Sequence, residues 1–165
     1  MIDLQARLND PDLEPSDRRS LEKIRDFGWI VVLVPEDEEG PNFAFSVGLY
    51  HTFNHPELLI TGQKIETMHG IINHVGEQIR EGEVFLPNRV YSELLEGYNT
   101  AVLTIEKTFF RDYLGAAMWF YERKEFPALQ LVWPSRNQLF PWSEGVASDF
   151  AGAQPLLGEF IKETA

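Results

Sequence analysis

Residues 43–62 read FAFSVGLYHTFNHPELLITG, and the rest of the chain is arranged around them. Phe43, Phe45, Val47 and Leu49 alternate with Ala44, Ser46, Gly48 and Tyr50, the two-residue period of a strand with one large apolar face and one small face. A face of Ala, Ser and Gly leaves room at the backbone for a closely packed helix or for a ligand. Pro56 holds His55 toward extended geometry and has no amide donor. The segment after the strand is therefore predicted not to be a regular helix, and His51 and His55 are not expected to align as metal ligands. Residues 54–58 read instead as a proline-fixed turn, returning into a strand over 58–61.

Outward from this stretch, residues 1–15 contain Asn9-Asp10-Pro11-Asp12 and Glu14-Pro15 and are expected to form a loosely ordered lead-in. One domain is expected over 16–165. Leu21, Ile24 and Phe27 lie at helical spacing ahead of Gly28, a C-terminal cap residue. WIVVLV at 29–34 is a β-branched run ended by Pro35 and reads as a strand buried on both sides. Ile65, Met68, Ile72, Val75 and Ile79 recur every three or four residues, the stripe of an amphipathic helix closed by Gly82. His69 and His74 fall off that stripe and are expected to be exposed.

In the second half, a brief strand is expected at 84–86, a helical turn at 91–95, a strand at 100–105 and a helix at 109–121 that is apolar nearly all round. FPALQLVW at 126–133 is a strand with one polar residue, Gln130. A buried amide there must find partners or cost about 1–3 kcal/mol. Trp133-Pro134 and Pro141-Trp142 bracket a stiffened loop, whose indoles either lid a site or anchor the loop to the core. At most a short helix is expected near 156–161.

Composition sets further bounds. A 165-residue chain with 44% hydrophobic residues suits one domain with a substantial core. No apolar run approaches the length needed to span a bilayer, and the polar, acidic N-terminus does not resemble an export signal, so a cytoplasmic protein without a membrane partner is expected. There is no Cys, which excludes disulfides, thiolate metal sites and a Cys nucleophile. A formal net charge of -12 argues against nucleic acid and suits solubility or steering toward a basic protein. The acidic run Glu36-Asp37-Glu38-Glu39 precedes Gly40-Pro41 and is placed in an exposed turn.

The stretch at 43–62, AMWFY at 117–121 and FPALQLVWPSRNQLFPW at 126–142 together resemble the uncharacterised bacterial family named domain of unknown function 4262, over about residues 24–142. That resemblance implies weight on Gly48, Leu49, His55, Pro56, Glu57, Phe126, Pro127, Gln130, Trp133, Pro134, Pro141 and Trp142, and assigns no activity. Asn54 and Gln138 stand where Gly is common in the family; Asn tolerates a left-handed backbone, whereas Gln138 questions the tightness of the Trp-bracketed loop.

Chemically, Ser46 near His51 or His55 supplies the residue types of a nucleophile and base. The first glycine of a nucleophile elbow is missing, however, and a strand is not the required strand-to-helix turn. His51, His55 and Glu57 lack a standard metal-ligand spacing; His55 beside Glu57 is either a general base or the lock of a turn. No metal and no cofactor is indicated. The expected fold is α+β: a mixed, mainly antiparallel sheet from strands near 29, 43, 58, 100 and 127, packed by two principal helices near 66 and 110. The expected function is protein interaction by a small acidic module, in the manner of an antitoxin or immunity protein. The alternative is an enzyme or ligand-binding protein with a pocket near His55, Glu57 and Gln130. Candidate binding residues are Ser46, His51, His55, Glu57, Gln130, Trp133 and Trp142.

Overall fold

The computed structural model describes residues 2–95 and 97–162. They form an α+β fold whose elements are α1 (Leu4–Leu8), α2 (Pro15–Phe27), β1 (Ile30–Val34), β2 (Phe43–Val47), α3 (Leu49–Phe53), β3 (Glu57–Thr61), α4 (Ile65–Arg80), β4 (Arg89–Leu95), β5 (Tyr98–Thr104), α5 (Phe110–Tyr113), α6 (Gly115–Phe120), β6 (Ala128–Val132) and α7 (Ser148–Ala153). The strands make one sheet in the order β1-β2-β3-β6-β5-β4. Every neighbouring pair is antiparallel except β3 and β6, which run parallel in the middle.

The strand alternation of the opening stretch divides the core. Phe45, Val47 and Leu59 face α2, α5 and α6, packing on Leu21, Ile24, Leu114 and Phe120. Ala44, Leu58 and Ile60 face α4 and meet the predicted stripe Met68, Ile72, Val75 and Ile79. The small face at Ala44 thus admits a helix. His69 and His74 are exposed.

Several expectations change. β1 is an edge strand, half-buried, with Leu33 exposed, because no strand among the described residues pairs beyond it. The lead-in forms α1, and Ile2 and Leu8 are buried. Its Arg7 stacks over Trp119 and donates to the Phe120 carbonyl at 2.5 Å, which explains why the 109–121 segment is apolar on its outer side as well. That segment is not one helix: a 3-10 turn at Lys107–Phe109 leads into α5, and Leu114 (φ -123°, ψ 34°) breaks α5 from α6. Gly115, among the weakest helix formers, follows the break. The larger helices are therefore α2 and α4. Residues 91–95 belong to β4, where pairing with β5 overrides a helix-forming composition. Residues 84–86 form no strand, and the C-terminal helix lies at Ser148–Ala153 rather than near 156–161.

Candidate functional site

The strand β2 runs into α3 through Gly48 (φ +119°), and α3 ends at Asn54 (φ 56°) just before Pro56. A helix is therefore present after the strand, contrary to the proline argument, but it is over before the proline acts. Asn54 adopts the left-handed conformation for which Gly is usual. A five-residue helix has no room to satisfy its own first amides. Glu57, at the start of β3 and fully buried, supplies the acceptors from outside. Its Oε1 accepts from Ser46 Oγ at 2.7 Å and Leu49 N at 3.1 Å. Its Oε2 accepts from Gly48 N at 2.9 Å, Tyr50 N at 3.3 Å and the Tyr121 hydroxyl.

Burial pushes the Glu57 carboxyl above its ordinary value, and the hydrogen bonds from Tyr121, Ser46, Gly48 and Tyr50 oppose that rise. Five donors around two oxygens suit a carboxylate rather than an acid. Burial, and then the adjoining carboxylate, raise the Tyr121 hydroxyl well beyond its usual range, so it stays protonated and donates. The surrounding groups are equally committed. Ser46 Oγ accepts from Leu58 N at 2.9 Å, replacing the ladder bond where β2–β3 pairing stops at Phe45 and Leu59. Tyr121 Oη accepts from His51 N at 3.2 Å.

His55 is buried and neutral in this arrangement: Nδ1 bonds the Pro56 carbonyl at 2.9 Å and Nε2 accepts from Phe85 N at 3.0 Å. Burial lowers its pKa, against the raising effect of the Pro56 carbonyl. His51 is half-buried and edge-on to Phe120; burial is also the main cause lowering its pKa. Its Nδ1 is buried with no partner among the described residues. Ser46 bonds neither imidazole, and although β2 does lead into a helix, Ser46 sits wholly buried inside the strand. His55 and Glu57 likewise turn to different partners.

A pH effect follows from His55. Its folded pKa lies below the free value of about 6.5, so the unfolded chain binds more protons in that window. Its contribution is fully present above about pH 6.5 and is lost as pH falls through the folded value. The loss of Tm between pH 7 and pH 5 is expected to be smaller in His55→Gln than in the parent. Subtracting the two curves removes the contribution of the carboxylates. Parallel curves would show that protonation of His55 is not what the fold resists.

Gln130 on β6 is fully buried. Its Nε2 donates to the Pro155 carbonyl and its Oε1 accepts from Leu157 N, both at 2.9 Å. It straps the C-terminal segment over β5 and β6, where Leu103 and Val132 meet Phe140, Leu156 and Phe160. Trp133 donates from Nε1 to the Thr61 carbonyl at 2.8 Å and exchanges two bonds with the Gln154 side chain. Trp142 lies in another cluster, stacked on Phe140 and Phe160. The two indoles do not share one lid. Gln138 takes φ 61°, and the turn still closes through Ser135 N to the Leu139 carbonyl at 2.8 Å.

The structure thus gathers Ser46, Glu57 and the His51 backbone around Tyr121, and leaves Gln130, Trp133 and Trp142 elsewhere. Tyr121 is the member that sequence reasoning missed; its only signal was its place in the AMWFY segment. Residues 23–147 match the family model described as Domain of unknown function (DUF4262). The chain belongs to this family. No curated protein and no solved structure matches it. In this DUF4262 chain, Gly48 and Leu49 are bonded to Glu57, whereas His55 is bonded to the Pro56 carbonyl and to Phe85 N. Among the described residues, no group of three or more His, Asp and Glu is placed to hold a metal ion, and no helix is long and apolar enough to cross a membrane.

Proposed function

We propose that the protein is a cytoplasmic interaction module that receives a basic partner at the acidic β1–β2 turn, as a neutraliser of the antitoxin or immunity type does. The observation that carries this reading is the groove beside that turn. It has a volume of about 180 Å³ and is walled by Asp37, Glu39 and Asp112 over Phe43 and Tyr113, whose rings lie 5.0 Å apart. The turn is shaped in advance, because Asp37 Oδ1 accepts from Glu39 N at 2.8 Å and Gly40 N at 3.2 Å. Its four acidic residues are exposed. A Lys or Arg side chain fits such a groove with its stem on the aromatic rings and its head among carboxylates. The neighbouring β1 edge offers a partner strand unpaired backbone groups.

The alternative, a pocket built on His55, Glu57 and Gln130, has less support, since all three side chains are buried and bonded within the chain. Immobilised parent protein is expected to capture a basic protein from its own cytoplasm at low salt. About 1 M salt should release it, where the screening length falls to about 3 Å. The variant Glu36→Lys/Glu38→Lys/Glu39→Lys keeps Asp37 and the turn, and should lose the capture. Equal recovery by parent and variant would refute the reading.

A further inference from the structure

The Trp-bracketed loop borders a cleft separate from the acidic groove. A cleft of about 720 Å³ opens beside Trp133, walled by Ile71 of α4, Leu95 and Tyr98 of the β4–β5 hairpin, and Phe150 of α7, with Arg136 on the loop. Its volume is in the range of small-molecule sites, about 300–1,000 Å³.

Two features distinguish it from a chance gap between elements. The aromatic wall is fixed in advance: the Trp133 indole is tied to the Thr61 carbonyl, its backbone is tied to Gln154, and Phe150 packs edge-on against it at 5.0 Å. The charge is also placed. Arg136 rides on a closed turn in which Ser135 Oγ accepts from Asn137 N and Leu139 N. Among the described residues, Arg136 is the sole charged residue lining the cleft, and its guanidinium takes part in no hydrogen bond or ion pair. Gln63, Thr67, Ser135 and Asn137 also line the cleft and are uncharged, so the cation stands alone there in a chain carrying a net charge of -12. A guanidinium offers a planar fork of donors that matches a carboxylate, and the aromatic wall matches a flat ring.

We infer that the cleft beside Trp133 binds an aromatic carboxylate, with its ring against Trp133 and Phe150 and its carboxylate on Arg136. The site lies apart from residues 36–39, so the charge-reversed variant above should bind as the parent does.

The test is calorimetric titration with 1-naphthoate, in parallel with the neutral 1-naphthamide. The parent, Arg136→Ala and Thr67→Trp are compared. Arg136 and Thr67 are both exposed, so neither change threatens the core; Thr67 lines the cleft from α4, where an indole obstructs it. One saturable site for 1-naphthoate is expected, weakened about tenfold or more by Arg136→Ala through loss of a charged hydrogen bond and removed by Thr67→Trp. Binding of 1-naphthamide should be weaker and indifferent to Arg136→Ala. Absence of saturable 1-naphthoate binding into the millimolar range would overturn the assignment. So would affinity for 1-naphthoate that neither substitution changes, or that Arg136→Ala leaves intact.

Discussion

Replacing Glu57 with Ala is expected to leave the chain unfolded at room temperature. The substitution removes one side chain and leaves without an acceptor the hydroxyls of Ser46 and Tyr121 and the amides of Gly48, Leu49 and Tyr50. A buried donor without a partner costs about 1–3 kcal/mol, whereas a domain's whole stability is about 5–15 kcal/mol. Rotation of the two hydroxyls and entry of a water recover part of the loss. The three amides cannot rotate, because α3 has no other way to begin. Glu57→Gln separates charge from shape. Its amide group must face donors on one side, and the milder orientation sets it toward Ser46 and Leu49. A loss of about 2–4 kcal/mol is expected, from one buried donor left unpaired and the weakened remaining bonds. Circular dichroism without denaturant, showing no folded baseline, reads the first effect, and urea unfolding reads the second. An Ala variant with a midpoint close to that of the parent would show that Glu57 is not the anchor of the corner.

That corner also shows how far the sequence could be read. The two-residue period at 43–47 and the three-to-four period at 65–79 survive folding because each describes one face of one element, and a periodic pattern is local. Glu57 could be marked as important from its place beside His55 and Pro56, but its five partners come from residues 46–50 and from distant Tyr121. Tyr121 lies far along the chain from all the others, and no spacing rule connects residues 46, 57 and 121. Local rules erred where tertiary contact decides. Residues 91–95 have helix-forming side chains, yet pair as a strand. Pro56 led to the expectation of no helix after the strand, whereas α3 at Leu49–Phe53 is short enough to finish before the proline. The acidic turn and the Trp-bracketed loop were legible as loops. The positions of Arg136 and Phe150 on one cleft were not, because α7 is brought there by tertiary contacts with Trp133 and Thr61.

The second large effect is expected at Gly48, where Ala should cost about 2–6 kcal/mol. Two independent terms combine. Gly48 has φ +119°, a conformation that side-chain-bearing residues occupy only under strain of about 1–3 kcal/mol. An added Cβ would also lie 2.6 Å from the Gly28 carbonyl oxygen and 3.0 Å from Trp29 Cα, and overpacking of this kind costs about 1–3 kcal/mol more. Neither neighbour can retreat cheaply. The Gly28 oxygen accepts from Thr52 Oγ1 at 2.6 Å, and the Trp29 indole is bonded to Asn73 Oδ1. Gly70 provides the contrast. It lies within α4, where an added Cβ meets nothing within 4 Å, so Gly70→Ala should stabilise by about 0.5–1 kcal/mol through helix propensity. The same one-carbon change is thus expected to have opposite signs at the two positions. Measured by urea midpoints, a Gly48→Ala loss below about 1 kcal/mol would mean that the β2–α3 corner yields to strain, and the tight contact between Gly48 and Gly28 would no longer explain why Gly occupies position 48.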